Sequence, residues 1–136
     1  MRFQISDFRF QIGDGDGQMD QSEMRKRTKT FALQVIHFTE SLPRKRATDV
    51  IGRQLLRSAT SVGANYRAAC RAKSKPDFIA KMAIVLEEAD ETLYWMELLQ
   101  EAQVVDAEPL KILAHEANEL VSIIAASIIT AKGPRS

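Results

Sequence analysis

Charge in this chain is sorted by segment. Residues 44–75 carry nine bases against the single acid Asp49, and residues 77–108 carry nine acids against the single base Lys81. The first segment stands at +8 and the second at −8 inside a chain of formal net charge +1. Both segments read as long helices, so the fold has to accommodate one basic rod and one acidic rod. Helices adjacent in sequence and antiparallel can set these charges side by side, with each exposed pair worth about 0–1 kcal/mol. Otherwise one of the rods meets a partner.

Apolar spacing defines four helices. Met24, Phe31, Val35, Phe38 and Leu42 recur at three-to-four spacing. They predict a first helix from about Gln21 to Leu42, opened by Asp20 with Glu23 three residues on and closed by Pro43. A second helix is predicted over Arg46 to Ala72. Ile51, Leu55, Ser58, Ala59, Val62, Tyr66 and Ala69 fall on one face of it, and Arg53, Arg57, Thr60, Ala64, Arg67 and Arg71 on the other. Gly52 and Gly63 interrupt its propensity and mark close packing or local flexibility.

Ser74-Lys75-Pro76-Asp77 is a helix-start signal, with Ser74 as N-cap and Asp77 as its capping-box partner. The third helix then runs to about Gln103, with Phe78, Met82, Val85, Leu86, Ala89, Leu93, Met96 and Gln100 inside. The fourth starts near Asp106 and buries Leu110, Leu113, Ala117, Leu120, Val121, Ile124 and Ile128 before Gly133-Pro134 stops it. Four long helices with short connections imply an all-α, antiparallel up-down-up-down four-helix bundle over residues 21–133.

Residues 1–20 look different and are read as a flexible tail. Arg2-Phe3-Gln4-Ile5 recurs as Arg9-Phe10-Gln11-Ile12, followed by the glycine–aspartate stretch Gly13 to Gly17. Phe8, Phe10 and Ile12 alternate as a strand would, but no partner strand is evident. A start at Met19 or Met24 would exclude the tail. A length of 136 residues suits one domain. The most apolar stretch, Leu120 to Ala131, is too short to cross a bilayer, which needs about 18 residues. No secretory h-region is present, and Cys70 stands alone, so a cytoplasmic setting without disulfides is expected.

No catalytic constellation emerges, and the chain is not read as an enzyme. A di-iron bundle needs inward Glu-x-x-His pairs, but His37 and His115 follow Gln34 and Ile112 at that spacing. Cys70 has no histidine nearby and reads as a small buried hydrophobe. Phosphate-loop and dinucleotide motifs are missing. No metal or cofactor is expected.

The arginine stripe is the best functional candidate. Arg53, Arg57, Arg67 and Arg71 span about 27 Å of helix, and Lys73 and Lys75 extend the ridge, which suits tracking phosphates. Ser58, Ser61 and Asn65 border the apolar face as structural polar groups, bonding across to the third helix or to another subunit. Tyr94 falls on the outer side of the third helix with Trp95 and Leu98 beside its inner stripe, marking a subunit interface. Further apolar residues outside the stripes (Leu33, Ile36, Ile123 and Ile129) also argue for a homo-oligomer.

From Arg27 to about Gln100 the chain resembles the small four-helix-bundle proteins encoded within intervening sequences of bacterial 23S ribosomal RNA genes. Arg27-Thr28-Lys29-Thr30-Phe31-Ala32, the block Gln54 to Arg67, Ala72 to Phe78 and Glu88 to Trp95 carry the resemblance. Ala68 stands where that family often has Glu, and Glu87 where it often has Lys. The resemblance implies a ring, commonly a pentamer, and no catalytic residues. A related branch, the accessory protein of diversity-generating retroelements, binds nucleic acid and a reverse transcriptase. The expected function is a non-catalytic homo-oligomer that binds structured RNA or other nucleic acid through the basic second helix. The alternative is a protein-interaction scaffold whose basic edge is used in subunit assembly.

Overall fold

The first three helices begin where a side chain can take an orphan backbone N–H. A computed structural model of the chain describes residues 10–12 and 17–134. In helix α1 (Gln21–Glu40) the extended Asp20 accepts the Glu23 N–H at 2.8 Å. The helix stops two residues short of Leu42, because the residue before Pro43 is pushed out of helical geometry. Helix α2 (Arg46–Ala69) is anchored by Thr48, whose hydroxyl lies 2.6 Å from the Pro43 carbonyl and accepts the Lys45 N–H at 3.2 Å. It ends before Ala72: the N–H groups of Arg71 and Ala72 turn to the carbonyls of Ala68 and Ala69, tightening the last turn.

Helix α3 (Lys75–Glu101) starts on Ser74, which accepts the Asp77 N–H at 3.2 Å. The Asp77 carboxylate reaches past Ser74 to the Lys73 N–H at 3.0 Å, one residue beyond a reciprocal capping box. Gln103, at φ 57, breaks the chain out of α3. Helix α4 (Ala107–Lys132) follows, and Gly133 at φ 74 ends it in the backbone region that favours glycine.

The result is the antiparallel four-helix bundle. α2 packs most extensively on α3, followed by α3 on α4 and α1 on α2, while the α1–α4 seam is the thinnest. The core stripes lie largely where spacing put them, with Met24, Phe31, Leu55, Tyr66, Phe78, Met82, Met96, Leu110, Leu120 and Ile124 fully buried. There are local departures. Phe38, Leu42, Leu93, Val121 and Ile128 are only half-buried, and Gln100 is exposed. Thr28, Thr48, Thr92 and Ser127 are buried instead. For the three threonines, the hydroxyl bonds to a carbonyl of the chain nearby, which lets a polar side chain occupy a core position.

Two sequence expectations need correction. The tail is not without strand partners: β1 (Phe10–Ile12) pairs antiparallel with β2 (Gly17–Met19), Phe10 opposite Met19, and β1 lies against α4. Met19 joins the core. The first copy of the repeat and Phe8 lie outside the described residues. The second correction concerns α4. It is long and apolar enough to cross a bilayer, because alanines and isoleucines extend its apolar character beyond the uninterrupted stretch. About a third of that segment is buried in the bundle, and Ile112 and Ile129 are 68% and 70% exposed.

Candidate nucleic-acid interface

Helical period puts Arg53, Arg57 and Arg67 on the outer side of α2, and they are exposed, as are Arg71 and Lys73 in the connection that follows and Lys75 at the start of α3. They are not equivalent. Arg57 leans across the α2–α3 seam to pair with Glu91, and with Glu88 at 3.5 Å. At that point the basic and acidic rods neutralise each other within one chain. Arg53, Arg67, Arg71, Lys73 and Lys75 have no carboxylate within ion-pair distance among the described residues.

Arg67 belongs to a larger basic feature. A groove of about 530 Å³ runs between α1 and α2, with Arg25, Lys26 and Lys29 on one side and Arg67 on the other. Its floor is built from small side chains, Ala32, Thr60, Gly63 and Ala64, and no acidic residue lines it. At Gly63 a Cβ would meet the Thr28 hydroxyl at 3.4 Å, so α1 and α2 lie against each other at this level. The three α1 bases are absent from the sequence-derived stripe. Their signal was legible as four bases within residues 25–29, but spacing alone does not say which helix flanks α2 on its arginine side.

The fourth of those bases turns the other way. Arg27 grips α4, its Nε and Nη2 donating to the two carboxylate oxygens of Glu116 at 2.8 and 2.7 Å, and Nη2 also donating to Glu119 at 3.0 Å. These bonds to Glu116, then Glu119, raise the guanidinium above its ordinary range despite the opposing effect of burial. Arg27 is therefore a clamp on the thin α1–α4 seam.

A profile of the 23S rRNA-intervening sequence protein family matches residues 20–126. The chain belongs to this family. It is also similar to a crystal structure of a protein of unknown function from the S23 ribosomal protein family of Bacteroides thetaiotaomicron, at 32% identity and a TM-score of 0.75. That similarity covers 82% of this chain and 99% of the other. None of the curated proteins matches the chain significantly.

In this 23S rRNA-intervening sequence protein, the two departures from the resemblance, Ala68 and Glu87, are both exposed. The contacts of Arg57 with Glu91 and Ser58 with Thr92 fix the antiparallel register of α2 and α3. By those contacts Ala68 lies opposite residues 80–82 of α3, five to seven residues from Glu87, or about 8–10 Å along the helix.

The polar residues of α2 divide. Ser58 does reach α3, its Oγ lying 3.0 Å from the buried Thr92 hydroxyl. Ser61 and Asn65 do not; they bond to the carbonyls of Arg57 and Ser61 in their own helix at 2.7 and 2.8 Å. Both side chains reach the preceding turn more easily than the next helix. Tyr94 is 52% exposed and stands edge-on to Trp95, with ring centres 5.1 Å apart. Trp95 Nε1 donates to Glu91 at 3.3 Å, so Glu91 joins the arginine stripe to the aromatic pair, and Leu98 is half-buried beside it.

Burial pushes the Cys70 thiol up, against the lowering effect of the adjacent Tyr66 hydroxyl, which disfavours the thiolate. Among the described residues, no group of three His, Cys, Asp or Glu side chains is arranged to hold a metal.

Proposed function

We propose that this family member is a non-catalytic, homo-oligomeric bundle protein that binds structured RNA or other nucleic acid through the basic face of α1 and α2. The observation that supports this is the grouping of Arg25, Lys26, Lys29 and Arg67 around one groove with no acidic lining. Cations left without carboxylate partners are free to neutralise phosphates and release counterions, the main source of sequence-independent affinity. Arg53, Arg71, Lys73 and Lys75 extend the same field along α2 and into α3. Arg57, already paired with Glu88 and Glu91, plays a smaller part.

The test is a gel shift with structured RNA across a salt series. Affinity should fall steeply with salt, and Lys29→Glu with Arg67→Glu should abolish the shift while the far-ultraviolet spectrum is kept. Salt-independent binding, or a double variant that binds like the parent chain, would refute the assignment.

A second reading, a protein-interaction scaffold, is favoured by the half-exposed Tyr94 against Trp95 and by the engagement of Arg57 with acidic α3. In it the basic edge closes on acidic residues of a neighbouring subunit, and a pentameric ring is the assembly the resemblance suggests. Chemical crosslinks joining Arg67-side lysines to α3 carboxylates of another copy, with no nucleic acid bound, would favour this reading.

A further inference from the structure

The α1–α2 groove also bears on which part of a nucleic acid is held, an inference that rests on the nucleic-acid reading above. No aromatic, amide or carboxylate side chain lines the groove. Single-strand binders gain about 1–3 kcal/mol per base by stacking on aromatic faces, and this groove has none to offer. Of the side chains that read base edges, Asn, Gln, Asp and Glu are absent from the lining, and its Arg and Lys are the same groups that contact phosphates. The hydroxyls of Thr28 and Thr60 lie 3.0 and 2.8 Å from the carbonyls of Met24 and Leu56, so their protons are committed within their own helices. What remains is four cations on the two sides of a trough whose floor is kept low by Gly63 and Ala64.

We infer that this groove cradles the phosphate backbone of a paired nucleic-acid segment and is blind to base sequence. A duplex offers the denser charge, about one per 1.7 Å of axis, and arrives already ordered, so it loses less conformational freedom than a single strand. The small residues of the floor let the backbone sink between the cations of α1 and that of α2, rather than resting on the ridge of α2 alone.

Fluorescence anisotropy on the purified full chain tests this, using two RNA duplexes of unrelated sequence and the matching single strands. The two duplexes should bind within about twofold of each other, and the single strands about tenfold more weakly. Four phosphate contacts in the groove contribute about −3.6 to the log–log salt slope, which by itself is about a 150-fold loss of affinity between 50 and 200 mM salt. Lys29→Gln should reduce that slope by about 0.9. Ala64→Leu changes no charge and lies at an exposed helical position. By filling the trough it should weaken binding about tenfold with little change in slope.

Single strands binding more tightly than duplexes, or duplex sequences differing by more than about tenfold, would overturn the inference. Duplex binding that neither Lys29→Gln nor Ala64→Leu alters would remove the groove from the account while leaving nucleic-acid binding intact. No binding to any of the four probes at low salt would remove both. Thermal melting of Ala64→Leu separates lost binding from lost fold, and Lys29→Gln, at an exposed site, provides the independent arm.

Discussion

Replacing Arg27 with methionine keeps the aliphatic stem and deletes only the charged head. The head donates two hydrogen bonds to Glu116 and one to Glu119, in a site where the side chains of Arg27, Glu116 and Glu119 are 23, 25 and 39% exposed. Exposed pairs contribute about 0–1 kcal/mol, and breaking a fully buried one costs about 3–5 kcal/mol. This site falls between those limits. Its loss also leaves two carboxylates three residues apart on one helix face, a repulsion of a few tenths of a kcal/mol. The expected destabilisation is about 2 kcal/mol.

The assay is urea unfolding at one fixed chain concentration, because assembly would otherwise shift the midpoint. Adding Glu116→Gln and Glu119→Gln in the Arg27→Met background should recover about half of the loss, by removing the unpaired charges. In about 1 M salt the defect should shrink, because the carboxylates are partly solvated. Arg27 is raised above its ordinary range first by Glu116, so its stabilising contribution is complete below that range and disappears only at higher pH. The guanidinium should therefore add no pH dependence between about pH 5 and 9. A loss below about 0.5 kcal/mol, or no recovery in the triple variant, would mean that the clamp is present in geometry but idle in energy.

Three further outcomes are expected. Thr92→Val should cost about 1 kcal/mol by removing the hydroxyl beside Ser58, and adding Ser58→Ala should cost little more; additive losses in urea melts would contradict the pairing. The Asp77 carboxyl is held below its ordinary 3.8, first by Lys81 and then by the Lys73 N–H. Its contribution is thus present above that value and lost as the pH falls through its lowered one, and Asp77→Asn should flatten the acid limb of a stability–pH curve. Tyr94→Glu should dissociate the proposed oligomer, and light scattering should then report a mass near 15.3 kDa; an intact assembly would exclude Tyr94 from the interface.

The helices and most of the core were legible because they depend on local information. Asp20 and Ser74 announce their own helix starts, and apolar spacing marks the inner faces. Thr28, Thr48 and Thr92 were not legible as core residues, since their burial depends on hydroxyl partners that hydropathy does not weigh. The arginine stripe was readable as a face of α2, but its chemistry depends on the neighbours. Arg57 is neutralised from α3, and Arg67 acquires Arg25, Lys26 and Lys29 from α1. The Arg27 clamp joins residues 89 positions apart, and nothing in local spacing announces a pair of that separation. The β1–β2 pairing escaped because three-residue strands fall below any reliable period.

The thin α1–α4 seam also sets an order of events in folding. The other three seams join helices that follow one another along the chain, so each can close through a short connection at small entropic expense. The fourth must bring the first and last helices together, and the Arg27–Glu116 contact can form only once the three hairpin-like closures have aligned them. This seam is accordingly the last to zip and the first to part. In native-state hydrogen exchange, the amides of α1 and α4 along it should open in a partial unfolding that leaves α2 and α3 protected, and Arg27→Met should accelerate unfolding far more than it slows folding.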